Sequence, residues 1–165
     1  MKRVVLLLSF VVCCVMSVFA KSDVTLKSGS LSKLKTSKAK VYVVWDYSHA
    51  TLEGQDVKTF LKEKGKEWER DYKAELEHAE ANFMERFNDK TKSVTITDKK
   101  SEADYTIVIE VKDFHYGSTG ASVLIGFGAG DAHMSGLMNL YEKNVKQPFA
   151  VIDVDGVAGA GFGNE

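Results

Sequence analysis

Residues 56–87 read DVKTFLKEKGKEWERDYKAELEHAEANFMERF, and this stretch decides the predicted fold. Its apolar side chains recur every three or four residues, which is the period of one face of an α-helix. The other positions are mostly Lys, Glu and Arg, so we predict an amphipathic helix with one face on a core and one in water. The apolar positions are Val57, Leu61, Trp68, Tyr72, Leu76, Ala79, Phe83 and Phe87, with Gly65 on the same line.

The predicted helix is too long to run unbroken through a domain of this size. At about 1.5 Å per residue it would measure ~48 Å, whereas a domain of about 145 residues has a diameter near ~38 Å. We therefore predict a break at Gly65, between Lys64 and Lys66. Asp56 is predicted to cap the start of the helix, and Asn88 to turn the chain out at its end.

Strands are predicted on both sides of the helix. Residues 41–45 are β-branched and aromatic throughout, and in 105–111 the side chains of Tyr105, Ile107, Ile109 and Val111 point one way in strict alternation. Further strands are predicted at 94–97, near 132–141 and at 149–154. Because short turns join neighbouring strands, we predict an α+β fold, a two-layer α/β sandwich. Its sheet would be mainly antiparallel, of about four to five strands, with one long, broken helix packed on one face.

The N-terminus has the pattern of a cleavable bacterial signal peptide. Lys2 and Arg3 precede an apolar run over 4–18, and Ala20 offers a small residue at a cleavage site. The run is shorter than the ~20 residues that a spanning helix needs. We therefore predict a protein exported to the periplasm or secreted, with no membrane span after signal cleavage.

Both cysteines lie inside this signal segment. Cys13 and Cys14 raise the alternative of a lipoprotein anchored at one of them, but Val12 is not the small residue that a lipoprotein peptidase prefers before its cysteine. The soluble form is therefore favoured. With the signal removed no cysteine remains, which excludes disulfides, zinc–thiolate sites and a thiol nucleophile in the mature protein.

We predict four segments along the chain. They are a signal peptide at 1–20, a tether or edge strand at 21–40, a single α/β domain at 41–155 and a glycine-rich tail at 156–165. Signal cleavage removes two of 22 Lys and Arg residues against 23 Asp and Glu, and 20 minus 23 leaves a net charge of −3. Nucleic-acid binding is therefore not expected, because it needs a basic surface.

Three strings carry a resemblance to a known family. They are Lys27-Ser28-Gly29 with Leu31 and Leu34, then Trp45-Asp46-Tyr47-Ser48, and above all Ile125-Gly126-Phe127-Gly128-Ala129-Gly130. Together they resemble a bacterial family of exported proteins and lipoproteins, domain of unknown function 4410, over most of the mature chain. The resemblance implies a layered α/β fold, similar to small periplasmic domains of envelope-assembly proteins, and it implies no catalytic residues. Family members usually continue into a final helix, which this sequence does not contain. By comparison with the family, we therefore expect a sheet face left open to a partner or a second copy.

Five residues are candidates for a binding surface. Asp46, Tyr47 and Ser48 follow the end of a predicted strand, where a carboxylate and a hydroxyl can satisfy the next loop and rim a surface. Tyr116 and Phe127 lie beside glycines and are candidate exposed aromatics of a contact patch.

Three other residues are candidates for a metal site. His133 and Asp131 can share one strand face, and His115 would join them if the two strands are neighbours. A polar strand surface facing solvent explains the same three residues more simply.

Two further patterns match known sites only in part. The glycines in 126–130 have the spacing GxGxG rather than GxGxxG, so a bent strand is favoured over a phosphate-binding loop. Asp46, Ser48 and His49 are the residue types of a hydrolase triad, but sequence neighbours seldom meet in the required geometry. No Gly-x-Ser-x-Gly motif accompanies them.

The sequence therefore favours a non-catalytic, exported envelope module that needs no cofactor. It would bind another envelope protein, or a copy of itself, through an open sheet face or edge. The alternatives are a small-molecule or metal-binding periplasmic domain that uses His115, Asp131 and His133, and a hydrolase built on Ser48 and His49.

Overall fold

The computed structural model describes residues 23–35, 38–115 and 133–158. Within these ranges the chain forms eight strands and three α-helices. In chain order they are β1 (Asp23–Gly29), α1 (Ser32–Lys35), β2 (Ala39–Asp46), β3 (Thr51–Leu52), β4 (Gln55–Asp56), α2 (Val57–Lys64), α3 (Lys66–Lys90), β5 (Val94–Ile96), a 3-10 helix (Lys100–Glu102), β6 (Tyr105–His115), β7 (His133–Glu142) and β8 (Ala150–Ala158).

All eight strands belong to one mixed sheet. The main order is β1-β8-β7-β6-β2-β5, with β3 pairing with β6 and β4. β1, β8, β7 and β6 run antiparallel to one another in that order, whereas β2 runs parallel to both β5 and β6. The short β3 is parallel to β6 and antiparallel to β4.

The predicted fold class, a mainly antiparallel sheet of four to five strands with one long helix, is therefore wrong. The physical reason is that α2 and α3 return the chain from the end of β2 to its starting end. A strand that follows such a crossover lies parallel to the strand before it, as β5 does beside β2. The predicted strand count is too low for two reasons. β3 and β4 have two residues each, which is too few to show a periodic pattern. β1 lies in the segment that was predicted as a tether or edge strand.

The helical region divides at Gly65. α2 ends at Lys64 and α3 begins at Lys66, while Gly65 has a φ of 100° and donates its N–H to the Leu61 carbonyl at 2.8 Å. This φ lies in the left-handed region, where a residue with a side chain is strained. A glycine at this position therefore allows the chain to break between the two helices. Asp56 caps α2 by accepting the backbone N–H of Thr59 at 3.0 Å.

Asn88 does not end the second helix as predicted. α3 continues to Lys90, and Thr91 closes it by donating its N–H to the Phe87 carbonyl. The Asn88 side chain instead accepts the Ile96 backbone N–H at 2.6 Å and donates to the Ile96 carbonyl at 3.3 Å. Asn88 therefore fastens the end of α3 to the edge strand β5.

The core lies between the helices and one face of the sheet, called here the helix-side face. Ile107, Ile109 and Val111 of β6 point into it at alternate positions and are almost fully buried. Other members are Val41 of β2, Leu140 of β7, Leu52 of β3, and Phe60 and Leu61 of α2. Helix α3 adds Trp68, Tyr72, Leu76, Phe83 and Phe87, which are only partly buried.

The residues between these core positions point to the other side of the sheet, called here the open face. Thr106 and Val108 of β6 and Tyr141 of β7 are half-buried there. None of the helices in the described ranges combines the length and the apolar content that crossing a bilayer requires. The predicted signal segment at 1–20 lies outside the described residues.

Candidate functional site

The helix-side face keeps exposed apolar side chains at the β1 end of the sheet. Val24 and Leu26 of β1 are 45% and 49% exposed. They lie in register with Val154, which is buried, and with Ile152, which is half-buried; both belong to β8 and continue the same face towards the core. We call these four residues the outer apolar patch. The main contacts of α2 and α3 are with each other and with β3, β4 and β5, whereas β1 is at the opposite end of the strand order from β5.

The edge of β1 is less suited to binding than its face. β1 pairs with β8 on one side only, and its pairing register shifts between Leu26 and Ser28. Lys27 lies at this shift and forms an ion pair with Asp153 at 3.2 Å. A bulge and a lysine on an edge strand both hinder the addition of another strand. The outer apolar patch is therefore the stronger candidate for contact.

The predicted binding residues at the end of β2 are bonded within the protein. Asp46 accepts the backbone N–H of Ser48 at 2.9 Å, and hydrogen bonds from the Ser48 side chain and backbone lower the pKa of the Asp46 carboxyl. The Tyr47 hydroxyl donates to Glu80 of α3 at 2.9 Å. Burial, followed by this bond to Glu80, raises the pKa of Tyr47 above its ordinary range. Asp46 thus shapes a turn and Tyr47 ties β2 to α3, and their role in binding stays a prediction.

The hydrolase alternative needs a bond between a nucleophile and a base. Ser48 and His49 are both exposed, and no hydrogen bond joins them in the described part of the chain. Asp46, the third member of the supposed triad, holds the Ser48 backbone rather than the imidazole. This arrangement lacks the contact that activates a serine.

Two of the three predicted metal ligands lie together. His115 of β6 and His133 of β7 lie side by side in register on neighbouring strands. Their ring centroids are 4.4 Å apart and the ring planes are inclined by 20°. Asp131, the third, lies outside the described residues, as do Tyr116, Phe127 and the glycines of 126–130. The described ranges hold no group of three or more side chains arranged to bind a metal ion.

Two carboxylates that the sequence did not single out complete a cluster around His115. Its Nδ1 lies 3.2 Å from a Glu53 oxygen, and its Nε2 contacts Asp113. Asp113 also accepts the Thr51 hydroxyl, so the imidazole is held between the β3–β4 turn and β6. Asp113 could have been found from sequence, because residues two apart on a strand share a face. Glu53 gave no such signal, since only the pairing of β3 with β6 places it there.

Comparison with known proteins adds little to this geometry. No protein-family model matches the chain, and no curated protein matches it. Among solved structures the chain is similar to the PelC dodecamer from Paraburkholderia phytofirmans, at 14% identity and a TM-score of 0.41, covering 85% of this chain and 83% of that chain. A variant of the same PelC dodecamer gives 14% identity, a TM-score of 0.38, and coverage of 85% and 82%. Likeness this weak carries no inference about function, and the resemblance to domain of unknown function 4410 stays a prediction.

Proposed function

We propose that the protein is an exported, non-catalytic binding module whose outer apolar patch packs against a second copy of the chain. The observation that carries this proposal is the exposure of Val24 and Leu26 on a face that is otherwise part of the core. Apolar surface left in water costs free energy, at about 25 cal/mol for each Å² that a partner could cover. A partner that covers the patch would recover this energy.

A second copy is the occupant that the patch favours. Two identical patches related by a twofold axis match each other in chemistry, and residue contacts repeat across the axis. The patch comes from two neighbouring strands, β1 and β8, so two copies would meet as one sheet on another. The bulge and the ion pair at Lys27 disfavour pairing through the edge of β1.

The test is the molar mass of the mature protein, measured by light scattering over a range of concentrations. We expect a dimer whose population rises with concentration, and we expect Leu26→Asp to return it to a monomer, because a carboxylate would then be buried in an apolar contact. Val145→Asp is the matched control. It replaces another apolar side chain of similar exposure with the same charge, in the turn that joins β7 to β8 and outside the outer apolar patch, and should leave the dimer intact.

Either of two results would reject the self-association proposal. One is a monomer at every concentration, and the other is equal loss of the dimer in Leu26→Asp and Val145→Asp. If the protein is a monomer that retains another envelope protein from extracts, and only Leu26→Asp loses it, the patch binds a different partner.

A metal-binding function is the second candidate, because His115 and His133 lie opposite each other with stacked rings. Stacked rings do not converge on one ion, so binding would require the rings to turn and a further ligand, for which Asp131 is the prediction. Metal content of untagged protein and melting with added zinc test this function. This function requires that the wild type bind zinc with a raised melting temperature and that His133→Ala lose both. No metal and an unchanged melting temperature would end the idea.

A further inference from the structure

The open face of the sheet contains a groove with a cationic rim. Its volume is about 640 Å³. One wall is the 3-10 helix Lys100–Glu102, and the other is the turn at 143–146 that joins β7 to β8. The floor consists of Thr106, Val108 and Tyr141, which lie side by side on β6 and β7. The groove is thus on the opposite side of the sheet from helices α2 and α3 and from the outer apolar patch.

Three exposed lysines line this groove: Lys100, Lys143 and Lys146. Lys143 donates its Nζ to the Ser101 carbonyl at 2.8 Å and so joins the two walls. None of the three forms an ion pair with a carboxylate among the described residues. Three positive charges therefore meet at one site on a chain whose net charge is −1.

The neighbouring carboxylates are paired with other lysines. Glu142 lies in register with Tyr105 and pairs with Lys33 of α1 at 2.8 Å. Glu102 pairs with Lys40 at 2.7 Å and with Lys99 at 3.3 Å. Glu142 itself lines the groove, but both carboxylates are paired with lysines that do not, so the three lysines of the rim leave the groove a net positive charge that attracts anions.

The turn beside the groove also carries an exposed apolar side chain. Val145 is 45% exposed and lies between Lys143 and Lys146 in sequence. Asn144 precedes it with a φ of 65°, the left-handed conformation that a tight turn requires. Apolar side chains flanked by lysines suit the boundary of an anionic membrane, where the apolar group enters the headgroup region and the cations meet phosphates.

From these observations we infer that the groove and its turn bind the surface of an anionic phospholipid membrane. A headgroup phosphate lies between Lys100, Lys143 and Lys146, and Val145 contacts the boundary between headgroups and acyl chains. Thr106 and Tyr141, whose side chains carry hydroxyls, line the floor against the polar rest of the headgroup. This inference goes beyond the proposed self-association, because it uses other residues on the opposite face of the sheet.

The test is binding of the mature protein to vesicles of phosphatidylglycerol and of phosphatidylcholine, measured by co-sedimentation. We expect binding to phosphatidylglycerol that weakens as salt is added, and much weaker binding to phosphatidylcholine. The double substitution Lys100→Ala with Lys146→Ala should weaken binding to phosphatidylglycerol about thirtyfold. Val145→Ser should weaken it by up to about tenfold, through loss of the apolar contact.

The matched control is Lys62→Ala with Lys73→Ala. It removes the same charge from two exposed lysines on α2 and α3, neither of which forms an ion pair with a described residue. Binding should change by no more than about twofold in this control, because these lysines lie on the other side of the sheet.

Three results would overturn the inference. The first is equal binding to the two lipids, and the second is equal loss of binding in the control and in the groove variant. The third is failure to bind vesicles while soluble glycerol 3-phosphate binds the wild type and not the groove variant. That last result would assign the groove to a free phosphate ester rather than to a membrane.

Discussion

At the scale of single residues, the bond between Tyr47 and Glu80 joins the end of β2 to the middle of α3. The Tyr47 hydroxyl donates to Glu80 at 2.9 Å, and its ring stacks with Trp45 at a centroid distance of 6.2 Å. We expect Tyr47→Phe to lower the free energy of unfolding by about 1 kcal/mol, because it removes one partly buried hydrogen bond. Urea denaturation measures this change.

Tyr72→Phe is the control for this prediction. Tyr47 and Tyr72 are both half-buried, and the Tyr72 hydroxyl makes no hydrogen bond within the described ranges. Stability should therefore stay nearly unchanged. Equal losses in the two variants would show that the effect comes from packing of the hydroxyl rather than from the bond to Glu80.

The same two tyrosines predict how stability responds to alkali. Burial raises the pKa of both Tyr47 and Tyr72 in the folded protein. The hydrogen bond to Glu80 raises the pKa of Tyr47 further. A raised folded pKa stabilises the fold below the unfolded pKa, and this contribution is lost as pH increases above about 10. We expect the free energy of unfolding to fall above that pH, and to fall less steeply in Tyr47→Phe. Identical pH profiles would contradict the assignment to Tyr47.

At the scale of elements, β1 is held to the sheet where the backbone of Gly29 passes close to β8. A Cβ on Gly29 would lie 1.9 Å from the Phe149 carbonyl oxygen, and its φ of 81° is also strained for a side chain. Gly65 has a comparable φ of 100°, but a Cβ added there would meet no atom within 4 Å. A comparison of substitutions at the two glycines therefore separates the cost of backbone strain from the cost of a steric clash.

We expect Gly29→Ala to destabilise the protein more than Gly65→Ala does. The strain of a positive φ costs about 1–2 kcal/mol in either variant, and only Gly29→Ala must also push β1 away from β8. Urea denaturation of the two variants measures the difference. Equal losses would mean that β1 moves aside without cost to the rest of the sheet.

At the scale of the whole molecule, stability should decrease from the middle of the sheet towards β1. β6 pairs with β7 along its length and with β2 and β3 on its other side, and it supplies several deeply buried side chains. β1 pairs only with β8, and its residues 24–29 are exposed. Amide hydrogen exchange should therefore be slowest in β6, which opens only on global unfolding, and fastest in β1. If a second copy covers the outer apolar patch, protection of β1 should rise with protein concentration. Uniform protection across the sheet in dilute solution would contradict this gradient.

The sequence by itself determined the features that depend on neighbours along the chain. The three-and-four spacing over 56–87 marked a buried helical face, and the alternation over 105–111 marked a strand with one face in the core. Gly65 marked the division between two helices, because the conformation there is a property of one residue. These signals are local, since a helix or strand repeats within a few residues.

Only the tertiary structure decided which strands meet, in which direction, and which side chains meet as a result. The strand–helix–strand order at 41–96 contained the signal for a parallel pair, but short turns elsewhere favoured an antiparallel sheet. Contacts such as Glu53 with His115, or Lys143 with the Ser101 carbonyl, join residues far apart in sequence. The packing of the whole sheet against its helices brings these residues together. The local periodicity of the sequence does not predict such contacts.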